Sequence, residues 1–152
     1  MALDIETYKT DKTDDNNYRF VSSGCAGDIL IFARFTESLK NVVQLEFGIK
    51  KENEDGIDTL FVINNKDTFK IINTVFSIVC DFTDKSPAKL IRFSGSTSAR
   101  TRIFRIWILN NRSLVEKYFV LYGCKSNNIW EIYKQKVQYE AVILKRKINN
   151  GK

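Results

Sequence analysis

The chain has 152 residues, of which 43% are hydrophobic, 28% charged and 12% aromatic, and its formal net charge is +6. This length and this apolar content predict one folded domain rather than a disordered chain. No run of 18 or more apolar residues is present, and no basic segment followed by an apolar one opens the chain, so we expect neither a membrane span nor a secretory signal.

Two residue types narrow the possible chemistry. The sequence contains no histidine, which removes the most common general base and most zinc sites. Its three cysteines, Cys25, Cys80 and Cys124, are widely spaced and form no disulfide or metal-binding pattern, which favours a cytoplasmic protein. We therefore predict no catalytic residue, no metal site and no cofactor.

The first part of the chain predicts an arm followed by four strands. Residues 1–17 are polar, and we expect a flexible arm with one short edge strand near residues 3–8. The segment from Val43 to Ile49 alternates in polarity, which predicts that one of its faces packs on the core. The four predicted strands cover residues 18–21, 29–35, 43–49 and 57–63.

From Thr68 onward the spacing of apolar residues becomes that of a helix. The pattern runs from Phe69 to Phe82 and predicts a mostly buried helix that stops before Pro87. A second helix is predicted over residues 98–110. The remaining predicted strands cover residues 89–94, 118–122, 129–133 and 139–145.

These elements follow the order ββββ-α-β-α-βββ. They predict an α+β fold with a mostly antiparallel sheet of about seven or eight strands and two helices. We expect one domain over residues 18–147 and a frayed tail over residues 148–152.

The charge is distributed unevenly along the chain. Residues 1–84 carry 9 Lys and Arg against 15 Asp and Glu, whereas residues 85–152 carry 15 against 3, so the two parts have net charges of −6 and +12. Such a split favours an anionic partner, either nucleic acid or an acidic protein. The alternative is that the two parts neutralise each other within one folded unit.

The segment with the most chemical content leads from the strand ending at residue 94 into the second helix. Glycine permits a close backbone approach, serine suits an N-cap, and the first helical turn offers free N–H groups to an anion. Three arginines follow closely. The predicted binding residues for an anion or nucleic acid are Gly95, Ser96, Thr97, Ser98, Arg100, Arg102 and Arg105.

Helical geometry divides these arginines between two roles. At about 100° per residue, Arg102 and Arg105 share a face, and Ile106 and Trp107 lie opposite. We expect Arg102 and Arg105 to be open to phosphate or carboxylate, and Arg100 to be partly buried. The alternative is a serine-capped helix with a solvated basic face and no ligand.

The sequence Gly-Ser-Thr-Ser-Ala-Arg-Thr-Arg-Ile-Phe-Arg at residues 95–105, preceded by Gly56-Ile57-Asp58 and Ile63-Asn64-Asn65-Lys66-Asp67, resembles a family of bacterial proteins grouped as a domain of unknown function. The resemblance extends over residues 18–147. It implies a cytoplasmic single domain and brings no activity with it. Thr59 stands where a second acidic residue after Asp58 is expected.

Two weaker patterns are also present. Asp55, Asp58 and Asp67 would suit Mg²⁺ or Mn²⁺ if they met, but each also fits a turn or cap. Near the C-terminus, aromatic and basic residues interleave between Tyr118 and Lys147, a pattern that suits single-stranded nucleic acid and equally suits cross-strand core pairs.

The function predicted from the sequence is a small, basic, non-enzymatic cytoplasmic protein that binds nucleic acid or another polyanion. One alternative is the toxin of a toxin–antitoxin pair that acts as an RNase. Another is a structural domain that docks an acidic protein, with Arg100 in a core ion pair. The sequence leaves open whether the protein forms a homodimer, and we expect no membrane partner.

Overall fold

The structure, a computed structural model, describes residues 5–50, 57–58, 66–94 and 98–148. Its helices are α1 (Thr68–Lys85), α2 (Ser98–Asn110) and α3 (Arg112–Tyr118). Its strands are β1 (Thr10–Asp14), β2 (Asn17–Gly24), β3 (Gly27–Leu39), β4 (Val42–Lys50), β5 (Ile57–Asp58), β6 (Leu90–Phe93), β7 (Phe119–Cys124), β8 (Trp130–Ile132) and β9 (Ala141–Arg146). These elements confirm the predicted α+β class.

The strands follow one another in the order β1-β2-β3-β4-β6-β9-β7-β8, and β5 pairs with β4. The sheet is mixed, because Val42–Gln44 of β4 runs parallel to Leu90–Arg92 of β6. A parallel pair requires a long crossover, and the chain between these two strands contains α1. The prediction of a mostly antiparallel sheet is therefore correct only in part.

The chain divides into two compact units, and the first comprises residues 1–36 and 45–82. In β2, the side chains of Tyr18, Phe20 and Ser22 are buried, while those between them are exposed, as expected for a strand with one face on a core. Helix α1 contributes Phe82, whose ring stacks on Phe35 with centroids 4.0 Å apart. The predicted burial of α1 is confirmed, since most of its side chains between residues 71 and 83 are buried.

The second unit comprises residues 37–44 and 83–152. Ile91 and Ile143 are fully buried, on the adjacent strands β6 and β9. The last residue of β9, Arg146, lies 2.6 Å from Asp84 and donates a hydrogen bond to Thr83. Helix α2 buries the side chains of Trp107 and Ile108, and α3 buries that of Val115.

Several predicted elements need correction. The edge strand expected near residues 3–8 lies instead at Thr10–Asp14, where its backbone pairs with β2. The number of helices is three rather than two among the described residues, because α3 follows α2 after a single residue. Of the strand predicted over residues 57–63, only Ile57–Asp58 falls within the described residues. The predicted limits of arm, domain and tail stay predictions.

Candidate functional site

A hollow in the second unit combines aromatic rings with charged groups. Its space is about 340 Å³ when the part open to solvent is included, and the space that a water-sized group can occupy is about 20 Å³. The hollow lies beside α2 and the segment that joins β8 to β9. Its lining residues are Phe93, Phe104, Arg105, Ile108, Tyr133, Tyr139, Glu140, Ala141 and Val142.

Two pairs of rings form the aromatic part of the lining. Phe93, at the end of β6, packs against Phe104 of α2 with centroids 4.0 Å apart and planes tilted by 44°. Tyr133 follows β8, and its ring centroid lies 5.3 Å from that of Tyr139, which precedes β9. Such rings offer flat apolar surfaces on which another planar group can pack.

Tyr139 is held in place by a small polar network. Its hydroxyl donates a hydrogen bond of 2.6 Å to Glu131 and accepts one of 3.1 Å from the backbone N–H of Lys134. Burial raises the pKa of Tyr139, and the carboxylate of Glu131 raises it further. The hydrogen bond from Tyr139, together with Lys125 at 3.2 Å, lowers the pKa of Glu131. Tyr139 therefore stays protonated and fixed as a wall of the hollow.

Tyr133 differs from Tyr139 because its buried hydroxyl has no hydrogen-bond partner among the described residues. The side chain is only 3% exposed. Burial raises the pKa of Tyr133, while the positive charges of Arg105 and Arg112 act in the opposite direction. The guanidinium of Arg112 lies over the Tyr133 ring at 5.3 Å and is paired with Glu116 at 3.1 Å.

Two further buried polar atoms near Tyr133 lack a partner in the described part of the chain. They are the Nε of Arg105 and the Oε1 of Gln135. The amide nitrogen of Gln135 donates a hydrogen bond of 3.3 Å to the backbone oxygen of Arg105, which holds the two residues together. Unpaired buried polar atoms are costly, and two of these three, on Tyr133 and Arg105, belong to residues that line the hollow.

The arginines predicted to bind anions have different environments. Arg102 is exposed, as expected. Arg105 is half-buried and lines the hollow, so it is less exposed than Arg102, and its role in anion binding stays a prediction. The lower exposure arises because Trp107 and Ile108 are the residues of α2 that pack inward, which turns Arg105 toward the protein and leaves Ile106 39% exposed.

The rest of the predicted anion site falls at or beyond the limits of the described residues. Gly95, Ser96 and Thr97 lie outside them, and Ser98 and Arg100 lie in α2 without a described side chain. Binding of an anion by these residues stays a prediction.

Of the predicted carboxylate group, Asp55 lies outside the described residues, Asp58 ends β5 without a described side chain, and Asp67 is described in full. Asp67 accepts hydrogen bonds from the hydroxyls of Ser22, at 2.5 Å, and Tyr8. It therefore ties the N-terminal segment and β2 to the start of α1. The described residues contain no group of three or more side chains suited to hold a metal ion.

The sequence pattern marks the aromatic residues between β8 and β9 but does not bring them together with α2. It gives no sign of the contribution of Phe93, Phe104, Glu131 and Gln135. The available signal was the cluster of Tyr133, Lys134, Lys136 and Tyr139, because two tyrosines so close in sequence are unusual for a loop exposed to solvent.

These features define an α+β protein with a mixed sheet and an aromatic hollow that contains unpaired hydrogen-bonding groups. The chain belongs to the family of unknown function DUF6934, whose model matches residues 4–147. The resemblance to a family of unknown function is thereby confirmed. Comparison with curated proteins and with solved structures gives no match in either set. None of the described helices is both long and apolar enough to cross a bilayer.

Proposed function

We propose that the protein binds single-stranded nucleic acid, without catalysing a reaction, through its second unit. The observation that carries the proposal is the division of charge between the units. The second unit holds 16 Lys and Arg against 5 Asp and Glu, a net charge of +11, whereas the first holds 8 against 13, a net charge of −5. A compact unit with this excess of positive charge attracts phosphates.

Most carboxylates of the second unit are already engaged in ion pairs within that unit. Each of these carboxylates forms an ion pair with one lysine or arginine of the described residues. The pairs are Glu37 with Lys89, Asp84 with Arg146, Glu116 with Arg112, and Glu131 with Lys125. With 16 Lys and Arg against 5 Asp and Glu, the unit's own carboxylates can neutralise only a minority of its lysines and arginines.

The second unit also contains exposed cations and an exposed aromatic ring. These residues are close in the sequence to residues that line the hollow. Arg102, Lys134 and Lys136 are exposed, and Trp130 on β8 is 36% exposed. Single-stranded nucleic acids are commonly held by cations on the phosphates and by aromatic rings on the bases. This combination favours a single strand over a duplex, whose bases are already stacked.

The binding is tested by fluorescence anisotropy with a labelled single-stranded oligonucleotide of about 16 nucleotides. If four phosphates are contacted, affinity should fall about 50-fold between about 50 and 200 mM salt. Arg102→Ala combined with Lys136→Ala should weaken binding and reduce the salt slope by about 1.4. The matched control removes two exposed cations of the first unit, Lys9→Ala with Arg19→Ala, and should leave both quantities nearly unchanged.

Two results would overturn the proposal. One is the absence of binding at about 50 mM salt, where the electrostatic component is strong. The other is an equal effect of the two charge-matched double variants. The hypothesis of an RNase toxin stays a hypothesis; recovery of intact RNA after incubation with the protein would contradict it.

A second candidate function is the docking of an acidic protein. It is favoured by the side chains of Ile106 and Leu109 on α2, which are 39% and 58% exposed and follow Arg102 at helical spacing. Protein interfaces combine an apolar centre with a polar rim, whereas phosphate binding gives no reason for exposed apolar groups. Failure of nucleic-acid binding, together with binding of poly-L-glutamate that Ile106→Ser and Leu109→Ser abolish, would favour this function.

We place this binding in the cytoplasm. Support comes from Cys25, Cys80 and Cys124, none of which takes part in a disulfide, although the first is exposed. Cysteines without disulfides are typical of proteins kept in a reducing compartment.

A further inference from the structure

We propose that the hollow beside α2 takes up one nucleobase of the single strand and selects bases in which a ring carbonyl adjoins a ring N–H. Guanine, thymine and uracil have this edge, whereas adenine and cytosine lack it. The inference rests on the proposed function, because it names the part of the nucleic acid that the hollow recognises.

The lining of the hollow suits a planar ring. Phe93, Phe104, Tyr133 and Tyr139 all contribute aromatic surface. Stacking of a base on such rings is favourable for every base, since each has a π-face. Aromatic contact therefore supplies affinity, and the polar atoms must supply any selection among the bases.

Two hydrogen-bond donors at the hollow need an acceptor. The Nε–H of Arg105 and the hydroxyl of Tyr133 are buried and have no partner in the described part of the chain. The charges of Arg105 and Arg112 both act on that hydroxyl, so the site favours an electron-rich atom. A carbonyl oxygen has two lone pairs and accepts from both donors at once.

Acceptors accompany these donors. The Oε1 of Gln135, which neighbours the lining and is not part of it, is buried without a described partner, and its amide nitrogen donates to the backbone oxygen of the lining residue Arg105. Glu140 is among the lining residues, and it is exposed. A ring N–H beside the carbonyl would donate to a side-chain oxygen of one of these two residues. Adenine has no carbonyl, and the cytosine nitrogen next to its carbonyl carries no hydrogen, so both leave a buried group unpaired.

The volume of the hollow fits a base whose carbonyl oxygen is bound inside and whose ring lies at the opening. The 20 Å³ that a water-sized group can occupy accommodates one exocyclic oxygen, and the ring then lies in the open part of the hollow. A phosphate is a poorer occupant, because it has no N–H to donate and its charge has the same sign as that of the lining residue Glu140. The phosphates are better placed on the exposed cations outside the hollow.

The test measures binding of four labelled probes of equal length by anisotropy: oligo(dT), oligo(dA), oligo(dC) and an abasic strand. We expect oligo(dT) to bind about tenfold more tightly than oligo(dA) or oligo(dC). Tyr133→Phe should reduce this preference to threefold or less and leave binding of the abasic strand unchanged. The matched control, Tyr122→Phe, removes a hydroxyl from a half-buried tyrosine outside the hollow and should keep the preference.

The same experiment separates the two proposals. Equal binding of all four probes would overturn base recognition while supporting the proposed function, and so would a preference for oligo(dT) that survives Tyr133→Phe. Binding of none of the probes at low salt would overturn both. Because the hydroxyl of Tyr133 has no described partner, Tyr133→Phe should unfold at the same temperature as the original protein or slightly above it, so a loss of preference reports on binding rather than on folding.

Discussion

Replacement of Gly123 by alanine provides a sharp test of how the hollow is built. Gly123 lies in β7, and a Cβ at this position would be 2.3 Å from Cε1 and Cζ of Tyr139 and 2.5 Å from its Cδ1. Ordinary van der Waals contact begins at 3.4 Å. The tyrosine ring must therefore move by about 1 Å, which disturbs its hydrogen bond to Glu131 and one wall of the hollow.

The expected loss of stability follows from the packing. Tyr139 is 8% exposed and cannot swing freely into solvent. Adding atoms to a packed region costs about 1–3 kcal/mol, and the displaced hydrogen bond places Gly123→Ala near the upper part of that range. A loss of about 2–3 kcal/mol corresponds to a decrease of about 4–12 °C in melting temperature for a chain of this length.

Urea unfolding followed by tryptophan fluorescence measures this loss, since Trp107 is buried in the same unit. The matched control places Gly123→Ala in a Tyr139→Ala background, where the ring is absent and the substitution should be neutral or slightly stabilising. An unchanged stability of Gly123→Ala, or an equal loss in both backgrounds, would refute the reasoning.

Three further predictions concern other parts of the fold. Arg146→Met should lower the free energy of unfolding by about 2 kcal/mol in urea titrations, because Arg146 is largely buried and Asp84 loses its partner at 2.6 Å. Tyr18 donates a hydrogen bond of 2.7 Å to Asp81, and burial first and this carboxylate second raise its pKa. The unfolded chain then loses the Tyr18 proton before the folded chain does, so this residue should contribute a fall in stability of about 1.4 kcal/mol per pH unit above about pH 10. Tyr18→Phe should remove this contribution, while those of Tyr133 and Tyr139 remain. Asn41 has φ of 63°, so Asn41→Gly should be tolerated, whereas Asn41→Val should cost about 1–2 kcal/mol by thermal unfolding.

Each of these has its own control. Lys145→Met removes an exposed cation from the residue next to Arg146 and should change stability little. An alkaline slope that is unaffected by Tyr18→Phe would contradict the assigned titration. For Asn41, equal costs of glycine and valine would show that the backbone conformation does not decide the outcome.

The parts of the fold predicted from sequence are those with a strong local period. Helix α1 and strand β4 have long apolar patterns, and the structure places them close to the predicted limits. Strand β1 has no such pattern, because it is charged and mostly exposed and is a strand only through its pairing with β2. Helix α3 was missed because it has seven residues and buries only Val115, which is too short for a helical period to stand out.

The candidate site was predicted only in part for a related reason. Arg105 was identified from its position in a basic helix, but the inward face of α2 is set by Trp107 and Ile108, and the sequence of α2 has no strong contrast between its faces. Tyr133 and Gln135 reach Arg105 through the path of the chain after β8, some 30 residues later. Contacts of this kind depend on tertiary packing and leave no local pattern.

The first and last strands in the sheet order carry unlike side chains, and this bears on the behaviour of the protein at high concentration. Strand β1 has Asp11, Lys12 and Asp14 along its five residues, and such charges discourage backbone pairing with another molecule. Strand β8 instead exposes Trp130 and Ile132, which share one side of a three-residue strand. Self-association of concentrated samples should therefore begin at the β8 margin, and a lysine introduced there is the natural means to keep them monodisperse.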